Sequence, residues 1–80
     1  QQQAWLYPIP AHDQLTLQFA SPVSRAEISL FTSDMRLLKQ ENLATLTMQK
    51  NMDVSGLPAG IYFVRVQSPS GTRLLRFVKE

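Results

Sequence analysis

Asp53-Val54-Ser55-Gly56-Leu57-Pro58-Ala59-Gly60-Ile61-Tyr62-Phe63-Val64-Arg65-Val66 decides the fold. It reads as a strand end, a tight corner and a strongly apolar strand with Tyr near its start. Pro58 and Gly60 punctuate the corner, because Pro fixes φ and Gly tolerates positive φ. Ile-Tyr-Phe-Val-Arg-Val is dense in β-branched and aromatic residues, which fit a pleated, half-buried surface. In two-sheet antiparallel sandwiches a Tyr at such a corner returns its hydroxyl to the backbone just upstream, and this spacing lets Tyr62 do so. Asp53 and Ser55, at the same corner, are placed to cap backbone N–H groups.

Upstream of the corner the hydrophobic period is two. Gln14-Leu15-Thr16-Leu17-Gln18-Phe19 puts Leu15, Leu17 and Phe19 on one face, and Ala26-Glu27-Ile28-Ser29-Leu30 repeats the pattern with Ala26, Ile28 and Leu30 inward. Thr32-Ser33-Asp34 is a turn cluster, and the next strand is expected from about Arg36 to Leu43. The same stretch, 35–44, also fits two turns of helix. Leu46-Thr47-Met48 opens a strand that ends near Val54. Ser68-Pro69-Ser70-Gly71 is a hairpin turn, and Thr72 to Lys79 follows it with Leu75 and Phe77 on one face.

With Ala4-Trp5-Leu6-Tyr7 in front, seven short strands alternate with turn signals about every 8–12 residues. That is the pattern of an all-β fold, a seven-stranded immunoglobulin-like antiparallel β-sandwich. Its expected core is Leu15, Leu17, Ile28, Leu30, Tyr62, Val64, Val66 and Phe77. Ile61 and Phe63 are as apolar as their neighbours, so this strand is equipped for burial on both faces. Phe77 shares its parity with Arg73 and Lys79, while Leu74 and Val78 have the other. A buried Phe77 therefore forces Arg73 and Lys79 to snorkel at the strand ends. Charge reversal at either is expected to move stability by no more than about 0.5 kcal/mol.

Eighty residues make one small domain, and 44% hydrophobic against 18% charged residues is a globular composition. The formal charge of +2 is carried by eight Lys and Arg spread along the chain. Nucleic-acid modules gather such charges into a dense stripe, so no nucleic-acid partner is expected. Without cysteine there is neither a disulfide framework nor thiolate chemistry. No apolar run reaches the length of a membrane helix, and no N-terminal signal peptide is visible. The chain opens on Gln1-Gln2-Gln3 without Met. It is read as a fragment of a larger protein, with residues 1–4 a linker or fragment edge and residues 5–80 the domain.

Catalysis needs convergent ionisable groups, and this chain has one His and six carboxylates, placed mostly at turns. His12-Asp13 precedes a strand, where a solvated turn is the simpler reading than a dyad. No metal-ligand spacing and no Gly-rich phosphate loop occurs. No enzyme activity, cofactor or metal site is therefore assigned. Trp5 and Tyr7 share a face as alternate strand residues, which suits stacking on a sugar; a partly buried first strand explains them equally well.

Four motifs remain: Tyr7-Pro8-Ile9-Pro10, His12-Asp13-Gln14-Leu15, Leu57-Pro58-Ala59-Gly60-Ile61-Tyr62-Phe63-Val64, and an ending with Gly71, Arg73, Arg76, Phe77, Val78 and Lys79. In that order, over nearly the full length, the chain resembles the type A C-terminal sorting domain of the type IX (Por) secretion system of Bacteroidetes bacteria. The first motif is similar to the family's Tyr-Pro-Asn-Pro, the second to its Asp-Lys-Leu strand start, and the third carries its Leu-Pro-x-Gly-x-Tyr-hydrophobic-Val run intact. Departures are visible. Ile9 stands in place of a turn-closing Asn, and Glu80 follows the basic ending. Met35 occupies the place of a turn Gly, so that hairpin is expected to use another geometry.

The resemblance implies a secretion signal, not an enzyme. The parent protein would pass from the periplasm across the outer membrane to the cell surface or the exterior. Outer-membrane translocation machinery would recognise the domain, a surface sortase would remove it in some members, and the parent would be attached to lipopolysaccharide. The residues implicated are Gly60, Tyr62, Gly71, Arg73, Arg76 and Lys79. A sandwich with an exposed terminal strand offers edge hydrogen bonds and a side-chain face to a receptor, so recognition is expected at Thr72 to Glu80 and the face beside Gly60. Two other readings stay open at this point: a generic immunoglobulin-like accessory or adhesion module, and a sugar-binding module using Trp5 and Tyr7.

Overall fold

The structure, a computed structural model, describes residues 3–80. Gln1 and Gln2 of the expected linker lie outside the described residues. Seven strands form: β1 (Ala4–Tyr7), β2 (Gln14–Val23), β3 (Ala26–Thr32), β4 (Leu37–Leu43), β5 (Thr47–Asp53), β6 (Gly60–Ser68) and β7 (Gly71–Lys79). One sheet has the order β1-β2-β5 and the other β4-β3-β6-β7, every pairing antiparallel. The two sheets pack face to face, which is the expected sandwich. β4 lies beside β3, whereas the constant-type immunoglobulin arrangement places the fourth strand on the other sheet.

The period-two faces meet in a single core. Leu15, Leu17 and Phe19 of β2 face Ala26, Ile28 and Leu30 of β3 and Tyr62, Val64 and Val66 of β6, with Phe77 of β7 closing the layer. All eight residues of the expected core are buried. Residues 37–43 form a strand, not a helix, because their backbone groups complete the open edge of β3, in a register running from Ala26↔Leu43 to Phe31↔Leu37. On an edge strand both faces meet solvent, and Leu37 and Leu38 are exposed, so no alternation marks it.

β2 runs on to Val23, past the expected end at Phe19, through a register irregularity between Gln18 and Val23. Irregular pairing tolerates Pro22, which has no N–H to offer a ladder. At the β3–β4 turn the Thr32 N–H donates to the Arg36 carbonyl (2.9 Å), and the Arg36 N–H donates to the Thr32 hydroxyl (3.0 Å). Met35 sits there with φ 65°, the left-handed conformation that a glycine adopts freely. The expectation of another geometry is therefore corrected: the hairpin keeps the glycine conformation and strains the methionine, because the surrounding hydrogen bonds fix the path.

Candidate recognition surface

The corner is built as its sequence indicates. The Asp53 carboxylate accepts the Ser55 N–H at 3.0 Å and the Ser55 hydroxyl at 2.7 Å, and these bonds hold its carboxyl below the usual carboxylate range. The Leu57 N–H reaches the Val54 carbonyl, closing the turn. Gly60 opens β6 at φ 153°, a backbone that L side chains rarely adopt, although a Cβ there would meet nothing within 4 Å. Tyr62 then points inward and donates its hydroxyl to the Pro58 carbonyl at 2.6 Å. Its ring stacks on Phe77, with centroids 5.5 Å apart and planes 20° from parallel. Corner and last strand are thereby one packed unit.

A second tie holds the end of β7. The Ala11 N–H donates to the Val78 carbonyl (2.7 Å), and the Glu80 N–H donates to the Ala11 carbonyl (2.9 Å). His12 faces Glu80 across 3.7 Å of exposed surface, and the Asp13 carbonyl accepts the Val54 N–H. The Ala11 and Asp13 backbones thus tie the 8–13 connection to β7 and to the corner.

The six residues singled out as recognition candidates do not form one patch. Tyr62 is buried. Gly60 and Gly71 start the two strands of the β6–β7 hairpin, Gly71 also at positive φ. Phe77 is 1% exposed, and on its face Lys79 is 7% exposed, with its Nζ donating to the Glu80 backbone carbonyl (3.0 Å). The snorkelling expected of Lys79 is present, but its stem is so enclosed that reversing its charge is not a surface change; that expectation is corrected. Arg73, of the same parity, is half-buried at the other end of the strand. Arg76 alone of the three cations stands exposed on the outer face of the sheet.

That outer face carries side chains the sequence reading passed over. β3, β6 and β7 bring Phe31, Phe63 and Arg76 into one row, and Ser29, Arg65 and Leu74 into the next. Phe31 is 7% exposed yet stands outside the core cluster, because the Arg65 guanidinium lies over its ring, 4.9 Å from the centroid. The Arg65 Nε is buried without a hydrogen-bond partner. Ile61 and Leu74 remain exposed at 44% and 53%, and Phe63 and Val78 are half-buried. β6 is thus apolar on both faces but buried on one only, so the burial on both faces for which Ile61 and Phe63 equip it is not found. The two-sided apolarity of 61–66, with Arg65 at the parity of Phe63, is the signal that marks this face in the sequence.

On the outer face of the other sheet, Trp5 and Tyr7 are exposed, while Ala4 and Leu6 of the same strand are buried. The Tyr7 hydroxyl donates to Gln18 Oε1 (3.3 Å) and accepts from Gln49 Nε2 (2.8 Å), so its ring reaches across three strands. A shallow depression of about 280 Å³ between Pro22–Ser24 and Ser68–Ser70 is lined by no ionisable side chain. Among the described residues no three His, Cys, Asp or Glu side chains gather to hold a metal.

A cysteine-free, seven-stranded sandwich whose tyrosine corner is stacked on its last strand defines a small module stabilised by packing. Residues 5–80 match the family described as the secretion system C-terminal sorting domain, and the chain belongs to that family. It is a C-terminal sorting signal for type IX secretion, which does not favour the accessory, adhesion or sugar-binding alternatives. Such a domain is not of an enzyme family; it acts with the type IX machinery and directs export across the outer membrane. No curated protein matches the chain.

Proposed function

We propose that the outer-membrane machinery of type IX secretion reads this domain through β7 and the part of the four-stranded sheet beside it. The observation that supports this reading is the division of labour within the last strand. Phe77 and Lys79 are spent on the fold, whereas Leu74 and Arg76 are directed outward and serve no internal contact that the fold requires. Gly60, Tyr62 and Gly71 act at one remove. They set the hairpin and the corner on which β7 is displayed, so their loss disables the signal by disordering it.

The parent protein then reaches the cell surface or the surrounding medium. Removal by a surface sortase and attachment of the parent to lipopolysaccharide are the subsequent steps that the family makes natural for this chain. The test is fractionation of cells whose parent protein lacks this segment. The parent is expected to accumulate in the periplasm; unimpaired release would contradict the proposal.

A further inference from the structure

We infer that the partner binds by adding a strand to β7 at Thr72–Arg76, and that this strand carries a carboxylate opposite Arg76. The inference rests on the sorting reading above and names the surface and the chemistry that serve it.

The backbone shows where the open edge lies. In a strand the N–H and C=O groups of successive residues point to opposite edges. The Val78 carbonyl and the Glu80 N–H point away from β6, since both are bonded to Ala11. The β6–β7 register is unbroken from Gly60↔Lys79 to Ser68↔Gly71. Thr72, Leu74 and Arg76, of the parity of Val78, therefore also direct their backbone groups away from β6. β7 is the last strand of its sheet, so among the described residues no strand is hydrogen-bonded to those groups, although β1 of the other sheet packs near β7. Ala11 blocks the far end of the edge and leaves 72–76 as the free stretch. Such an edge is a template for an incoming strand, and a charged side chain on it, here Arg76, restricts which strand it accepts.

The side chains specify what fits. Leu74 and Arg76 stand on the edge strand, and Ile61, Phe63 and Arg65 on β6 behind it share the outer face. Among the described residues Lys50 pairs with Glu41 and exposed His12 lies 3.7 Å from Glu80; neither Arg65 nor Arg76 has a carboxylate partner. Arg65 lies over Phe31 of β3, away from this edge, with its Nε buried and unbonded, which leaves Arg76 as the cation beside the edge. The unpaired Arg76 guanidinium beside exposed Leu74 complements an extended segment that mixes acidic and apolar residues. A guanidinium binds carboxylate in fork geometry, and main-chain pairing supplies affinity while side chains supply choice.

The test uses a periplasmic reporter fused to residues 1–80, secreted by a bacterium with type IX machinery, alongside melting of each purified variant. Arg76→Glu reverses an exposed charge, and Leu74→Pro removes an N–H that the fold leaves unbonded. Each is expected to cut export by about tenfold or more while the fold melts near the wild-type temperature. Thr72→Pro, which deletes another edge N–H, replaces Leu74→Pro if that variant does not fold. Arg36→Glu, an exposed reversal at the β3–β4 turn, is expected to export normally. Lost export for Arg76→Glu with normal export for the proline variants would overturn strand addition in favour of an anionic surface such as lipopolysaccharide. Normal export for all of them, with a domain-less reporter retained in the periplasm, would place the signal elsewhere on the domain. Release of the domain-less reporter would instead remove the sorting reading itself.

Discussion

The Tyr62 hydroxyl donates to the Pro58 carbonyl at 2.6 Å, four residues back along the chain. One side chain thus satisfies a backbone acceptor in the corner while its ring fills the core against Phe77. Tyr62→Ala removes both contributions and is expected to cost about 3–5 kcal/mol, the range for deleting a large buried aromatic. Tyr62→Phe keeps the ring and is expected to cost about 1 kcal/mol, one net hydrogen bond. A domain of this length has about 4–12 kcal/mol in total, so the first change threatens the isolated fold. Urea unfolding of both variants is the check, and equal small losses would contradict the corner's role.

Met35 supplies the opposite case, a residue that opposes its backbone. At φ 65° a non-glycine residue bears strain of about 1–2 kcal/mol. Met35 is exposed, so little packing is lost when it is replaced. Met35→Gly is expected to stabilise the domain by about 1 kcal/mol, offset in part by the entropy of the unfolded glycine. That corresponds to a rise in Tm of about 4–8 °C by calorimetry. A fall in Tm would show that the turn is not strained.

Arg73 and Lys79 share a face of β7 but differ in consequence. Arg73→Glu at a half-buried strand end is expected to change stability by no more than about 0.5 kcal/mol. Lys79→Glu places a carboxylate where an enclosed stem now packs, and loses the bond to the Glu80 carbonyl. A loss of about 1–3 kcal/mol is expected. Chemical denaturation of the pair tests this, and equal effects would contradict the enclosure of Lys79.

Acid should weaken the corner. Asp53 is held below the usual carboxylate range, first by the Ser55 N–H and then by the Ser55 hydroxyl. A carboxyl depressed in the folded state adds stability that is complete above its unfolded value, about 3.9, and is lost as pH falls through the lower folded value. Asp34, lowered chiefly by the Thr32 hydroxyl, acts in the same direction. Asp53→Asn is therefore expected to flatten the fall in stability below about pH 4. Denaturation midpoints measured from pH 5 to pH 2 would show it, and an unchanged slope would refute it.

The fold was legible where one face is dry and the other wet. Leu15, Leu17, Ile28, Leu30 and the corner at Tyr62 announce themselves because period-two burial and turn chemistry are local properties. β4 is legible as a strand from about Arg36 to Leu43, but two turns of helix fit the same stretch, since Leu37 and Leu38 lie exposed on an edge and carry no alternation. The end of β2 was hidden because Pro22 argues against a strand that a register irregularity in fact accommodates. The proposed recognition face is only partly legible. Parity tied Lys79 to Phe77, but the pairing of Arg65 with Phe31, and the row joining Phe63 to Arg76, depend on registers between distant strands. Sequence periodicity alone does not set those registers.

Relocation of a foreign protein tests the central claim most directly. A periplasmic reporter carrying residues 1–80 at its C-terminus is followed in two strains of one bacterium, one with functional type IX machinery and one without. The account predicts reporter at the cell surface or in the medium of the first strain, and in the periplasm of the second. Reporter retained in the periplasm of both strains, with the domain shown to be folded, would contradict it.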